Sequence, residues 1–332
     1  MKEKHINDVQ PSTVDEHYEI LLKEKNLIDS KFTNVTPDDL PHWYDKKLFK
    51  EGQNYYKRNI LAVVMHSFLG LFTIISNPDI LKVLTYTRSN SSYASNRYIL
   101  TLFRMHKLYT CDPNFDFNWC KIINIIRGQH VVNNKKSLKA NIGGIYEKDV
   151  ALTQFVFLGY ILITPKSIGL RNTVEEEEAF IHFWRVLGYM LGIPDRLNIC
   201  RKNVKETREL CQKISSGILA NYLNEASSDF YSTVSSIIHE IRYIDLTLDK
   251  DALLAFIYRL HGIKYNVPLK WYSRLCMNYR DLIFHLFLVP YIGTIIRLYQ
   301  NYMFMFLLWF LQKWYKFTGI IWKRKLSKYN YL

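Results

Sequence analysis

The chain has 332 residues, 48% hydrophobic and 22% charged, a balance that supports a folded core and excludes an intrinsically disordered chain. A net charge of +14 ordinarily suggests nucleic acid as a partner. Here, however, seven positive charges follow Asp281, the last acidic residue, and they stand among Trp and Phe side chains. This arrangement is typical of a segment that faces anionic lipid, and it argues against a nucleic-acid partner.

Residues 1–35 predict a polar N-terminal arm that contains one short helix. The first thirty residues have no apolar run, so we expect neither a secretory signal nor an N-terminal anchor. The five cysteines show no metal-finger spacing. We interpret them as core residues of an intracellular protein from a reducing compartment.

The next segments alternate between helical patterns and breaks. Residues 55–76 predict one long buried helix, and the Asn-Pro-Asp sequence at 77–79 predicts a new start, because proline is tolerated in a first turn. The Ser- and Asn-rich residues 89–96 predict a loop. Residues 117–132 have helical periodicity, and residues 133–145, which contain Asn, Lys and a Gly pair, predict the clearest loop of the chain.

The best-marked helix is predicted to begin at Thr173. Glu176 stands three residues further on, as in a capping box, and the Gly-Ile-Pro sequence at 192–194 predicts the end of the helix after Leu191. The four consecutive Glu residues at 175–178 could form a metal site or an acidic docking site. A solvated helix N-terminus is the preferred interpretation, since negative charge is favourable there.

Further helices are predicted over residues 148–164, 203–223, 226–242 and 249–261. No stretch alternates apolar and polar residues between hairpin turns, so we expect no β-sheet. The sequence therefore predicts an all-α protein.

Isolated polar groups, rather than a standard catalytic motif, mark the apolar helices. Arg127 and His130 lie three residues apart and so share a helix face, and His182 and Arg185 repeat this spacing. Asp149 stands on the helix between them. Because buried charges must be paired, these groups either converge on an anionic cofactor or satisfy one another in structural ion pairs.

Six groups of residues, spread over about residues 40–265, recur in an order that resembles a known family. They are Pro41-His42-Trp43-Tyr44-Asp45, Glu51-Gly52-Gln53, Arg97 with Thr101, Arg127-Gly128-Gln129-His130, Leu152-Thr153-Gln154-Phe155 and Ala179-Phe180-Ile181-His182-Phe183-Trp184-Arg185-Val186-Leu187-Gly188-Tyr189-Met190-Leu191-Gly192-Ile193. Together they resemble the oxygenase-type domain shared by latex-clearing proteins (rubber oxygenases) and the ER-bound oxygenase of mycophenolic acid biosynthesis.

The resemblance implies an all-helical, globin-like core that holds a b-type haem and cleaves carbon–carbon double bonds of polyprenoid chains with dioxygen. By position, Arg127 and His130 match polar groups over the distal side of the haem, and His182 matches the histidine ahead of Trp-Arg. Asp149 stands near the position where the axial histidine is expected. Either another histidine, with His182 as the first candidate, ligates the iron, or the cofactor has been lost or changed.

The C-terminal residues 282–311 are almost continuously apolar, and Pro290 and Gly293 predict a division into two helices. The longest uninterrupted apolar run, residues 302–311, is ten residues long, about half of a membrane span. The segment could lie in a membrane interface, span the bilayer, or pack on the core ahead of a solvated basic tail. Interfacial attachment to anionic lipid is preferred, at the endoplasmic reticulum or another cytoplasm-facing membrane.

The leading hypothesis is therefore a membrane-associated, haem-b-dependent oxygenase or oxidoreductase that acts on a hydrophobic, polyprenoid- or lipid-like substrate. The alternative is a non-catalytic helical protein that binds lipid or a partner and has lost the cofactor. The predicted domains are the arm (1–35), the helical oxygenase-like domain (36–265) and a C-terminal segment (266–332). The candidate site residues are Arg127, His130 and Gln154 for catalysis, Arg127, Asp149, Thr153, His182 and Arg185 for cofactor binding, and His182 as the metal ligand.

Overall fold

The protein is described by a computed structural model that covers residues 6–29, 31, 33–89, 97–114, 116–242 and 245–321. Its α-helices are α1 (Ile6–Val9), α2 (Val14–Lys23), α3 (Lys46–Arg58), α4 (Ile60–Ile74), α5 (Pro78–Ser89), α6 (Arg97–Thr110), α7 (Phe117–Lys139), α8 (Glu147–Ile163), α9 (Val174–Leu191), α10 (Val204–Lys213), α11 (Ala220–Asn224), α12 (Ser228–Ile241), α13 (Lys250–Leu260), α14 (Trp271–Leu288) and α15 (Ile292–Ile321). Short 3₁₀ helices occupy Pro37–Asp39, Pro165–Ile168 and Asp195–Leu197, and a π-helix, Ile214–Leu219, joins α10 to α11.

Within those ranges no β-strand forms, and the only β pairing described is an isolated bridge between Leu27 and Tyr146. The all-α prediction is confirmed. The reason is the one visible in the sequence, namely helical spacing of apolar residues between polar caps and Gly or Pro breaks.

The core is centred on α8 and α9, which are buried along most of their lengths and contact each other. Helix α3 packs on α9 and α4 packs on α8. The two outer helices approach closely: a methyl group built on Gly70 of α4 would lie 2.5 Å from Val156 Cα, and one on Gly52 of α3 would lie 2.6 Å from the Ala179 carbonyl oxygen. Glycine at these positions allows the backbones to touch, so the inner pair is enclosed on both sides.

Several predicted helix boundaries are confirmed. Thr173 is the N-cap of α9, and its side chain and that of Glu176 complete the capping box. Gly192 follows Leu191 with a φ of 87°, a left-handed conformation that glycine adopts without steric cost. Helix α5 begins at Pro78, and the break predicted at Pro290 separates α14 from α15.

The loop predicted over residues 133–145 is wrong for its first half, because α7 continues to Lys139. Asn134 is buried, and its side-chain oxygen accepts a hydrogen bond from the backbone N–H of Ile145. This contact outweighs the weak helix preference of the two Asn residues at 133–134. The loop predicted over residues 89–96 lies, beyond Ser89, outside the described residues.

Three other predicted elements are also corrected. The single helix over residues 55–76 is broken at Asn59, whose φ of −127° and ψ of 33° end α3 before α4 begins. The predicted helix over 203–223 contains the π-helix, and the N-terminal arm has two helices instead of one. The arm is held to the core by the buried Arg201, which donates hydrogen bonds to the carbonyl oxygens of Pro11 and Ser12.

The C-terminal helices pack on one end of the helical domain, where α14 contacts α13 and α15 contacts α3 and α4. In the part of the chain that the structure describes, no one helix combines the length and apolarity of a membrane span. Two bent helix pairs do so by length and composition alone: Ile60–Ile74 with Pro78–Thr87, bent by 104°, and Trp271–Leu288 with Ile292–Trp314, bent by 118°. The first pair includes α4, which is mostly buried, as is typical of a core helix.

Candidate functional site

A cavity of about 1660 Å³, called the main cavity below, lies among α4, α5, α6, α7 and α8. This volume exceeds the range of about 300–1000 Å³ that is usual for small-molecule pockets. Its wall is largely apolar and includes Val63, Val64, Phe68, Leu71, Leu84, Leu102, Met105, Ile125, Ile126, Val156 and Phe157. The cavity therefore has room for a large planar group and an apolar chain together.

His130, on α7, lines the main cavity. Burial, and secondarily the positive charge of Arg97, lowers the pKa of its imidazole to about 4. His130 is therefore neutral near pH 7, and no described residue forms a hydrogen bond with its ring. A neutral imidazole with an available nitrogen lone pair is the form that binds a metal.

The charged side chains of the same wall are all positive. Arg97 and Arg104 come from α6, and Lys121 and Lys136 come from α7. None of the described residues that line the cavity is Asp or Glu. Arg104 donates a hydrogen bond to the Gln129 side-chain oxygen at 2.9 Å, which orients its guanidinium. Such a wall favours a ligand that carries negative charge.

An aromatic layer forms the inner wall. The Tyr56 hydroxyl is 2.9 Å from His106 Nδ1, and the Tyr56 ring stacks on Tyr109 with centroids 4.0 Å apart. Trp184 donates a hydrogen bond to the Tyr109 hydroxyl at 3.1 Å and stacks on Phe157 at 4.7 Å. Burial lowers the pKa of His106 to about 4. Ring contacts and hydrogen bonds together fix this side of the cavity.

Gln154 and Thr153 of α8 also line the main cavity, but their side chains form hydrogen bonds with other residues of the chain. The Gln154 amide donates to the Trp184 carbonyl and the Asn198 side chain, both at 3.1 Å, and its oxygen accepts from Ile199 N at 3.0 Å. The Thr153 hydroxyl donates to a carbonyl one turn earlier in α8 at 2.7 Å. These bonds hold α8 in place against α9 and the segment that follows it.

Arg127 faces away from the main cavity, although it lies only three residues from His130. Its Nη1 donates to the Met190 carbonyl oxygen at 3.0 Å, and it lines a separate cleft of about 320 Å³ with Asp38 and Asp39. The structure therefore places His130 in the wall of the main cavity and Arg127 just outside it.

His182 and Arg185 belong to α9 and pack against neighbouring segments; neither residue lines the main cavity. His182 Nε2 accepts a hydrogen bond from the backbone N–H of Asp45 at 3.0 Å, and the ring packs edge-on against Trp43. Burial, followed by the charge of Arg185, lowers the pKa of His182 to about 4. Arg185 donates to the Cys200 carbonyl oxygen at 3.1 Å. These contacts occupy the Nε2 lone pair that a metal would need.

Asp149 is buried and also lies outside the lining of the main cavity. Its carboxylate accepts a hydrogen bond from the Asn77 side chain at 3.2 Å. Burial raises the pKa of Asp149 to about 6, above the usual range of an aspartate. Its contacts join the N-terminal turn of α8 to the start of α5.

Of the residues predicted from sequence, the structure brings three to the main cavity and places four elsewhere. Those at the cavity are His130, Thr153 and Gln154, and those elsewhere are Arg127, Asp149, His182 and Arg185. Arg97, Thr101 and Arg104 line the cavity but were not among the predicted site residues. The available signal was the spacing of Arg97 and Thr101, one helical turn apart.

The fold and the site together define an all-α protein with a large, mostly apolar cavity that is lined by a neutral histidine and several cations. Its structure is similar to a solved structure of a latex-clearing protein in the closed state, with a TM-score of 0.58 over 92% of each chain and 15% sequence identity. The predicted resemblance to latex-clearing proteins is therefore confirmed at the level of the fold. No protein-family model and no curated protein sequence matches the chain.

Proposed function

We propose that this protein is a haem-dependent oxygenase that acts on a hydrophobic, polyprenoid- or lipid-like substrate. The observation that carries the proposal is the position of His130, a neutral imidazole facing a cavity large enough for a macrocycle. The similarity in fold to a latex-clearing protein supports the same class of activity.

The residues of the main cavity fit a haem in three respects. His130 would supply the nitrogen that holds the iron, in place of the His182 predicted from sequence, whose Nε2 accepts a hydrogen bond from Asp45 N. Arg97, Arg104 and the α7 lysines would pair with the carboxylates of the propionates. The apolar wall would cover the ring faces and exclude water.

The remaining chemistry is divided between the cofactor and the chain. Haem supplies redox-active iron for reaction with dioxygen. Phe68, Leu71 and Met105 would bind the apolar substrate, since they line the same cavity. Tyr56 and His106 form the one described hydroxyl–imidazole pair in that wall, and they can hold a proton at the His106 ring or the Tyr56 oxygen.

The test is titration of the purified full-length chain with hemin, followed by its absorption spectrum. We expect a Soret band and about one iron per chain, both lost in His130→Ala. The matched control is His182→Ala, another buried histidine of similar pKa, which should keep the Soret band because its ring lies outside the cavity.

A wild-type chain that gives no Soret band contradicts the haem proposal. A band that survives in His130→Ala but disappears in His182→Ala contradicts the choice of ligand. Oxygenase activity is then measured as dioxygen uptake and carbonyl products from an oligoisoprenoid. Tight binding of that oligoisoprenoid or a fatty acid without haem would instead favour the non-catalytic lipid-binding alternative.

A further inference from the structure

The two C-terminal helices form an elbow on the surface of the domain. The chain bends by 118° between α14 and α15, and Tyr291, at the bend, has a φ of 58°, which is unusual for a residue with a side chain. The Tyr291 side chain is 86% exposed, although it is a large aromatic. The bend therefore presents an aromatic ring to the surroundings.

Helix α15 is attached to the domain along one narrow stripe. Phe304, Leu308 and Leu311 are buried at helical spacing, and Asn301 is buried one turn earlier. The Asn301 amide donates to the Arg58 carbonyl oxygen at 2.8 Å, and its oxygen accepts from Leu61 N at 3.3 Å. The attachment is specific, because the polar group of the stripe is bonded to the junction of α3 and α4.

The outer face of α15 is as apolar as its inner stripe. Its exposed large side chains are Ile292, Ile295, Leu298, Tyr299, Tyr302, Met303, Met305, Phe306, Trp309, Phe310 and Trp314. Monomeric soluble proteins rarely expose a contiguous apolar patch larger than a few hundred Å². An uninterrupted helix face of this composition indicates that something apolar covers it.

Helix α14 also exposes an apolar stripe. Trp271, Leu275, Tyr279 and Leu282 are all exposed, and their spacing of four, four and three residues places them on one side of the helix. We call this stripe, the bend and the exposed face of α15 the apolar elbow.

Every charged residue that follows Asp281 in the sequence is positive. Asp281 forms an ion pair with Arg259 of α13, and no acidic residue follows it in the sequence. Lys313 is exposed near the end of the described side chains, and the sequence continues with Lys316, Lys323, Arg324, Lys325 and Lys328. An apolar helix face joined to a basic, Trp-rich segment matches the chemistry of an anionic bilayer surface.

We propose that the apolar elbow docks into the interfacial region of an anionic lipid bilayer. Tyr and Trp rings of the elbow lie at headgroup depth, and Lys313 pairs with lipid phosphate or serine carboxylate groups. Helix α15 lies along the surface, because its stripe of Phe304, Leu308 and Leu311 stays on the domain while its opposite face meets the lipid.

The docking also brings the main cavity close to the membrane. Helix α4 contacts α15 and contributes Ser67, Phe68 and Leu71 to the cavity wall. An apolar substrate dissolved in the bilayer then has a short path to the cavity. This consequence depends on the proposed function, whereas the docking itself does not.

The experiment is flotation of the full-length chain with two kinds of vesicle. One contains phosphatidylcholine alone, and in the other part of the phosphatidylcholine is replaced by phosphatidylserine. The outer-face variant combines Tyr302→Ser, Phe306→Ser and Trp309→Ser. The matched control combines Val174→Ser, Leu246→Ser and Val267→Ser, which are exposed apolar residues outside the elbow. Circular dichroism of both variants verifies that the helical fold is kept.

We expect the wild type and the control to float with phosphatidylserine vesicles, and the outer-face variant to bind at least tenfold more weakly. Raising the salt to about 1 M, where the Debye length is about 3 Å, should weaken wild-type binding. Equal binding of the outer-face variant overturns the proposal. Equal binding to both vesicle types overturns the assignment to anionic lipid. If the wild type does not bind vesicles but forms a dimer, and the outer-face substitutions disrupt that dimer, the elbow is instead a contact with a second copy of the chain.

Discussion

His66 gives the sharpest stability prediction, because it is a completely buried histidine in the core. It lies in α4, its side chain is 0% exposed, and it packs edge-on against Tyr160 with centroids 5.6 Å apart. Burial lowers the pKa of its ring to about 3. His66 is consequently neutral in the folded protein throughout the mildly acidic range.

The sign of the effect follows from proton linkage. In the unfolded chain an exposed histidine has a pKa of about 6.5, so it takes up a proton as the pH falls below that value, whereas folded His66 does not. Folding stability is therefore fully present above about pH 6.5 and falls as the pH drops towards the folded pKa. Between pH 7 and pH 5 the loss attributable to His66 is about 2 kcal/mol.

The assay is urea unfolding, followed by tryptophan fluorescence at pH 7 and pH 5, of the wild type and of His66→Leu, a side chain of similar size. The variant should lose about 2 kcal/mol less than the wild type over this range. His239→Leu, a substitution at an exposed histidine, should behave like the wild type. Equal losses in the wild type and His66→Leu would refute the reasoning, because His66 would then titrate in the folded state.

Two further predictions concern close packing and the attachment of α15. Gly70→Ala should destabilise the fold by about 1–3 kcal/mol, seen as a lower melting temperature, since its methyl group would lie 2.5 Å from Val156 Cα; an unchanged melting temperature would contradict this contact. Asn301→Ala removes the hydrogen bonds to Arg58 O and Leu61 N and should cost about 1–3 kcal/mol, with faster proteolysis within α15. Proteolysis at the wild-type rate would show that the apolar stripe alone holds the helix.

The helix boundaries that the sequence predicted correctly are set by residues close to one another along the chain. The start of α9 is fixed by Thr173 and Glu176, three residues apart, and its end by Gly192. The continuation of α7 past residue 132 depends instead on Asn134 bonding to Ile145 N. No helical periodicity reveals that contact, and the Asn and Lys run therefore predicted a loop.

The positions of the site residues were harder to predict from the sequence than the helix boundaries. Spacing correctly puts Arg127 and His130 near one another on α7, but three residues still differ by about 60° around a helix. The edge of the main cavity falls between them, so only His130 lines it. His182 is similar, since its bond to Asp45 N joins residues 137 apart in sequence, and only the folded chain shows that its Nε2 is engaged.

The two proposals concern separate surfaces, and this makes them separable by experiment. His130 lies in the main cavity, whereas Tyr302, Phe306 and Trp309 lie on the exposed face of α15. The outer-face variant should therefore keep the Soret band, and His130→Ala should keep its binding to anionic vesicles. If both proposals hold, the outer-face variant should lose turnover of a substrate dissolved in vesicles but keep turnover of the same substrate in detergent. Loss of turnover in both conditions would show that the outer-face substitutions disturb the cavity itself, since α15 contacts α4, which forms part of the cavity wall.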